Sequence, residues 1–359
     1  MQRTSESRKK KAKDASELLQ HIRRAGEKKD SFLFGMEFFN GFFSQWHEKA
    51  RIGGHWRSDC CDVTGSHPSV LGQDFHYYLE KSKEEAKSHL EAARVASGWG
   101  CVLTFDYHMM GRYGKKFEFS EPGKYLVYNV GEENDQYTEV TWFSERLRSL
   151  VEHIKPLNTP LVLRLFHECN GDWFWWGSKC HGGAHSYKKF FRFAVKYIRE
   201  RTDLALIAWS PNFPFDKEAT DYYPGDNVVD VIGLDAYDMG ENKGPTWKEF
   251  KTSLLAMGEF ATKHKKVAAL TETGNRKRSP ETAPDWWQKL SDVVLSCQCE
   301  YPSAHISWVL SWFNAPWNTQ DQDMIPHRHS SKLAKDGFRR FASHTGVHLM
   351  SGAEPFFAT

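Results

Sequence analysis

LVLRLFHE (residues 161–168) and SYKKFFRFAVKYIRERT (residues 186–202) make one structural unit, and the fold follows from how often that unit recurs. The first segment is an unbroken apolar run ending on a polar pair, the pattern of a strand buried on both faces. In the second, Tyr187, Phe190, Phe191, Ala194, Val195 and Ile198 repeat with helical period, which gives a helix one apolar face. Between them lies CNGDWFWWG (residues 169–177), a loop crowded with aromatic rings.

Seven further runs resemble the first: FLFGMEF (32–38), SVLGQDF (69–75), CVLTFDYH (101–108), LALIAWSPN (204–212), VVDVIGLDAY (228–237), VAALTETG (267–274) and ISWVLSWFN (306–314). Helical patterns follow most of them. YYLEKSKEEAKSHLEAARVAS comes after the second run, FSERLRSLVEHIK after the third and WKEFKTSLLAMGEFATKH after the sixth. DWWQKLSDVVLSC follows the seventh and KLAKDGFRRFASH the eighth, whereas the segments after the first and fifth are less clearly helical. Eight strands alternating with helices predict an α/β protein, a (β/α)8 TIM barrel. A doubly wound open sheet is the alternative, but no glycine-rich phosphate loop follows the first strand. The expected organisation is a basic arm at residues 1–30, read as a solvated helix, one catalytic barrel domain at 31–346, and a tail at 347–359.

The chain has 359 residues, 40% hydrophobic and 26% charged, a globular balance. A formal net charge of +2 supplies no field for nucleic acid. No apolar stretch is long enough to span a membrane, and the N-terminus lacks the apolar run of a signal peptide. The protein is then expected inside the cell, or outside it if a signal has been removed. Seven cysteines at irregular spacing read as mostly free thiols. The sequence is silent on oligomeric state.

Barrel chemistry sits where strands end. Here the runs end on Glu37, Asp74, His108, Glu168, Asn212, Asp235, Tyr237, Glu272 and Asn314, with Trp312 beside the last. Helix capping and loop satisfaction account for Glu37, Asp74 and Asn314 as readily as chemistry does. Glu168 and Glu272 are different. They end the fourth and seventh strands, so they face each other across the barrel mouth, as the two carboxylates of a glycoside hydrolase must. A gap of about 5–5.5 Å between them predicts retention of anomeric configuration, and about 6.5–9.5 Å predicts inversion. Glu168 lies among Phe166, Trp173, Phe174, Trp175 and Trp176; low polarity raises a carboxyl pKa and suits a general acid. Glu272 has Thr271, Thr273 and Tyr237 as hydrogen-bonding neighbours, which suits a carboxylate nucleophile. His167 points away from Glu168 if the strand continues, and toward it if the strand twists. HECNG lacks the second histidine of a zinc protease helix. CHGGAH (180–185) and PHRHSSK (326–332) hold histidines without a convincing ligand pattern, so neither metal nor cofactor is expected.

FHECNGDWFWWG resembles the acid/base signature of glycoside hydrolase family 26, and ALTETG its nucleophile signature. DVIGLDAYD on the sixth strand and VLSWFNA on the eighth extend the resemblance over residues 31–345. The resemblance implies a retaining, endo-acting glycosidase with Glu168 as acid/base and Glu272 as nucleophile. It further implies that His167 and Arg164 support Glu168, that Tyr237 holds Glu272, and that His108, Trp173, Trp176 and Trp312 contact sugar. The substrate expected is a polysaccharide or oligosaccharide, β-1,4-mannan first, with β-1,3-xylan and mixed-linkage β-glucan as alternatives. From another class, a barrel that binds carbohydrate without turnover is the competing reading. The chain departs from the family pattern in FGMEFFNGFF (34–43), in Cys169, and in a long segment at 109–140; these positions shape distal subsites.

Overall fold

The computed structural model describes residues 12–27, 30–39, 51–52, 55–114, 116–134, 136–300, 305–314 and 323–350. Each apolar run contributes one strand: β1 Phe32–Glu37, β2 Val70–Asp74, β3 Val102–Asp106, β4 Leu161–Arg164, β5 Ala205–Trp209, β6 Val231–Tyr237, β7 Val267–Gly274 and β8 Ile306–Ser311. All pair in parallel with their sequence neighbours, and β8 returns to β1 with Leu33 opposite Trp308, which closes the barrel. Long helices such as Lys83–Trp99, Thr138–Ile154, Gly183–Arg199 and Trp247–Lys263 connect the strands. Among the described residues, the helices after β1 and β5 are Asp59–Thr64 and Lys217–Asp221, too short for a period to show in the sequence.

Strand alternation sorts the side chains into two sets. Phe34, Leu71, Leu103, Leu163, Ile207 and Ile232 belong to the core shared with the helices. Their neighbours Leu33, Val70, Val102, Val162, Leu206, Val231, Val267 and Trp308 form a second cluster inside the barrel. Following the inner rows upward by twos, the residues become polar: Glu37 on β1, Asp74 on β2, Asp106 on β3, Arg164 on β4 and Asp235 on β6. The barrel therefore has an apolar floor and a charged mouth. On β2, Gly72 makes room for the second layer, since a Cβ there would lie 1.9 Å from Glu37 Oε2.

The N-terminal arm corrects the expectation of a solvated helix. Residues Ala15–Glu27 are helical, but Leu18 and Ile22 are buried in the inner apolar cluster, against the floor of the barrel. The helix is a stopper: the floor residues are apolar and open at that end, and this amphipathic face removes them from water. Ile22→Ala is expected to lower unfolding free energy by about 2–5 kcal/mol through transfer and cavity effects. Chemical denaturation would read this as a lower midpoint at constant m-value, and a shift of under about 0.5 kcal/mol would mean the arm is not part of the cooperative unit. The tail also differs from expectation. Val347–Met350 forms a further strand, with Val347 paired in parallel to Phe32 of β1 and Met350 antiparallel to His67. Most of RKKKAK, the end of FGMEFFNGFF and the end of the tail lie outside the described residues. Cys60, Cys61, Cys101, Cys169 and Cys180 are free thiols. Among the described residues no helix is long and apolar enough to cross a membrane.

Candidate active site

Two local departures from regular strand geometry build the site. β4 ends at Arg164, and Phe166 and Glu168 then adopt positive φ, 51° and 53°. Such values are costly for residues with a Cβ and persist where the surroundings enforce them. Here the Glu168 N–H donates to Ser210 O at 2.8 Å and the Gly171 N–H to Glu168 O at 2.9 Å. The break in alternation lets His167 and Glu168 both face the mouth. On β7 the register shifts between Leu270 and Glu272, a bulge that brings Glu272 opposite Asp235 on the inner side.

The two glutamates meet. An oxygen of Glu168, one of Asp235 and one of Glu272 all lie within 4.8 Å of one another. Glu272 is 4% exposed and held from both sides. The Arg164 guanidinium donates to its Oε1, the Tyr237 hydroxyl donates to its Oε2 at 2.7 Å, and His167 Nε2 lies 3.9 Å from Oε1. Glu168 accepts from Trp173 Nε1 at 2.7 Å. Burial, then the Glu272 charge, push its pKa up to about 7. One carboxyl is thus poised to carry a proton beside another fixed by donors.

Arg164 is the hub. It is 2% exposed and bonds Asp235 at 2.9 Å, Ser210 Oγ at 3.3 Å and Asp106 at 3.4 Å besides Glu272. Burial pushes the Asp106 and Asp235 carboxyls well above the usual range. His108 Nδ1 lies 2.9 Å from Asp74 Oδ2, and the His108 N–H donates to Asp74 Oδ1 at 3.1 Å. Burial pulls the His108 imidazole down, but the Asp74 charge and hydrogen bond outweigh it and leave its pKa raised. His167, 4.7 Å from His108 between ring centroids, is held well below its ordinary value by burial and then by Arg164. One imidazole is therefore biased toward its protonated form, with two N–H donors, and its neighbour toward the neutral form.

The aromatic loop after β4 divides its labour. Trp173 is 39% exposed at the mouth, lying so close over Gly171 that a Cβ there would meet its ring at 2.4 Å. Phe174 packs against both His167 (5.0 Å) and His108 (5.5 Å). Trp175 donates to Met109 O at 2.8 Å and is buried. Trp176 is fully buried, stacks on Phe174 at 4.5 Å and donates to His167 O at 2.7 Å. This corrects the expectation that Trp176 touches sugar: it sits behind the histidine wall and fixes it. Arg164 is corrected too. It supports Glu272 rather than Glu168, and with no exposed guanidinium it positions a carboxylate instead of binding substrate. Trp312 is half-buried, 6.1 Å from His108. Asn314 is buried and bonds Asp59, Ile325 and Met324, so it pins a loop. Asn212 does the same through a reciprocal pair with Asn170, both bonds 2.8 Å.

Several site residues went unread in the sequence. Asp106 lies two positions before His108 and so on the same strand face; that periodicity was a usable signal. Ser210 sits likewise two positions past Ala208. Phe117, 5.2 Å from His108, comes from the long segment after β3, where no period exists to place it. As for metals, Asp106, His108 and His167 converge as a ligand set would, as do Glu168, Asp235 and Glu272. The Arg164 guanidinium, ion-paired to Asp106, Asp235 and Glu272, already supplies the positive charge that a cation would bring. The donor set fits an arginine-centred network better than a metal centre.

The sequence model of glycosyl hydrolase family 26 matches residues 5–318. A mannan endo-1,4-beta-mannosidase of Bifidobacterium adolescentis is 28% identical over 288 residues, 72% of this chain and 28% of that protein. One of Bacillus subtilis is 31% identical over 197 residues, 49% of this chain and 52% of that protein. The alignments thus span about half the length of these curated relatives, or less. In architecture, the chain resembles a solved GH26 beta-mannanase from Bacteroides ovatus with a TM-score of 0.79 at 24% identity, covering 97% of this chain and 98% of the other.

Proposed function

The chain belongs to glycosyl hydrolase family 26, and from that premise we propose that it is a retaining endo-β-1,4-mannanase using Glu272 as nucleophile and Glu168 as acid/base. The observation carrying the mechanism is the closeness of the two carboxyls: one oxygen of Glu168 and one of Glu272 lie within 4.8 Å of each other. That spacing matches the short separation of retaining enzymes, about 5–5.5 Å, rather than the longer one of inverting enzymes.

In the first step a Glu272 oxygen attacks the anomeric carbon. The glycosidic C–O bond breaks, and its oxygen takes the proton of Glu168. A glycosyl-enzyme remains, and the leaving chain departs. In the second step Glu168, now a carboxylate, takes a proton from water as the water oxygen attacks the anomeric carbon and Glu272 is released. Arg164 and Tyr237 hold Glu272 in line through both steps, which is the orientation effect that makes an attack effectively intramolecular. His108, with its ring fixed by Asp74, offers a donor to a hydroxyl of the reacting sugar, while Trp312 and Trp173 provide apolar ring faces for its C–H faces.

The substrate reading rests on the named relatives, which are mannan endo-1,4-beta-mannosidases. Reducing-sugar release from mannan, galactomannan, β-1,3-xylan and mixed-linkage β-glucan tests it, with Glu272→Ala as the blank. Release from the two mannans that vanishes in the variant is the expected result. Release from xylan or glucan alone would move the substrate while keeping the mechanism. Silence on all four would sink the enzymatic reading in favour of a carbohydrate-binding barrel.

A further inference from the structure

The loop after β3 is unusually long, and its sequence carries no period. The structure fastens it to the loop after β4. Glu118 bridges Phe174 in antiparallel fashion, the Phe119 N–H donates to Trp173 O at 2.6 Å, and the Trp175 N–H donates to Phe117 O at 3.1 Å. Farther out, the His181 N–H donates to Lys124 O at 2.8 Å. The two loops therefore form one continuous surface that begins at Trp173, whose indole is bonded to Glu168.

That surface carries aromatic rings where solvent meets it. Among the described residues only three large hydrophobic side chains are exposed: Tyr125 at 46%, Trp173 at 39% and Leu333. Two of the three lie on these joined loops. The Tyr125 ring lies tilted beside the His181 ring, 4.6 Å between centroids, with the Lys124 ammonium 5.5 Å from its own ring. Phe119, half-buried and six positions before Tyr125, has the Lys179 ammonium 5.7 Å from its ring. Aromatic rings at the surface, with ammonium groups alongside, suit a ligand that offers flat C–H faces edged by hydroxyls.

We propose that these joined loops are a platform for the leaving-side half of the polysaccharide, with Phe119 and Tyr125 stacking sugar units beyond the one at Trp173. The side follows from chemistry. The proton donor stands next to the departing oxygen, so a surface continuous with Glu168 through Trp173 receives the part of the chain that departs. This inference rests on the hydrolase reading above. The platform makes the protein select long chains, because binding energy from remote units is gained only when those units are present.

The test compares Tyr125→Ala with the unchanged protein on two substrates: mannan, and an aryl β-mannobioside whose leaving group is a single nitrophenyl ring. The expected result is a five- to tenfold fall in kcat/KM on mannan, about what the loss of one stacking contact gives, with kcat/KM on the aryl glycoside unchanged within about twofold. Tyr125→Trp is expected to restore the mannan value, which a merely structural role for the phenol would not predict. Equal losses on both substrates would overturn the proposal by showing that Tyr125 acts through the acid/base loop. Unchanged hydrolysis of mannan would overturn it as well. If the unchanged protein cleaves neither substrate, the hydrolase reading itself has failed, a result distinguishable from either of these.

Discussion

Glu272→Ala is expected to lose turnover of polysaccharide by about 10⁴-fold or more, since no covalent intermediate can then form. Glu272 is nearly sealed from solvent and is gripped by Arg164 and Tyr237. Truncating it leaves a cavity against both donors, close to the size of a small anion. Added azide is therefore expected to restore part of the rate on an activated aryl glycoside, and the product is expected to be the α-glycosyl azide, from a single inversion. Product analysis by NMR checks this. A β-azide, or a variant that keeps near-native rates on polymer, would remove Glu272 from the nucleophile's role. Melting of the variant close to that of the parent would separate loss of chemistry from loss of fold.

Glu168→Ala is expected to separate the two halves of the reaction. On polymer, where the leaving oxygen needs a proton, the rate is expected to fall by about 10²–10⁴-fold, the usual range for a general acid. On an aryl glycoside with a good leaving group the first step survives, the glycosyl-enzyme accumulates, and azide releases it as the β-glycosyl azide through two inversions. The pH dependence follows from the raised pKa of Glu168, about 7. Donation requires the protonated carboxyl, which is present below that value and lost above it. The kcat/KM of the unchanged protein on polymer is then expected to decline as pH rises through about 7, and this alkaline limb is expected to vanish in Glu168→Ala on the aryl substrate. The limb belongs to the coupled pair of glutamates, so it reports a macroscopic value. An alkaline limb that persists unchanged in the variant would assign it to another group.

Both results depend on a feature of the barrel mouth that mutation of neither glutamate alone would reveal. Glu168, Glu272, Asp235, Asp106, Asp74 and Glu37 crowd around one arginine and two histidines. Such a concentration of acid is unfavourable in isolation, and burial shifts Asp106, Asp235 and Glu37 toward their neutral forms. Arg164 opposes that shift in Asp106 and Asp235 and favours the charged form of Glu272, pairing with all three at once. The network resembles other buried ion clusters in that removing the central charge leaves several partners uncompensated.

The eight strands were legible because buried parallel strands must be continuously apolar, and because their inner and outer faces follow from parity alone. Parity also brings Asp106, Arg164 and Asp235 to the inner face; Asp235 was read only as a polar strand end, and Arg164 as a support for Glu168 rather than Glu272. Glu168 and Glu272 stood out as acidic ends to apolar runs. What the sequence could not carry was anything that depends on a departure from regular geometry. The positive φ at Phe166 and Glu168 and the bulge before Glu272 decide where three side chains point, and no periodicity encodes them. Trp173 and Trp176 are the same residue type three positions apart, yet one lines the mouth and the other is sealed behind a histidine, because loop packing rather than composition sets exposure. The N-terminal helix shows the same limit. Its amphipathic pattern was readable, but its partner, the apolar floor of the barrel, exists only once eight distant strands have closed. Local periodicity determined which segments are strands and helices; the gap between the two carboxyls, the partner of Arg164 and the joining of the third and fourth loops were decided by tertiary contacts between residues far apart in the chain.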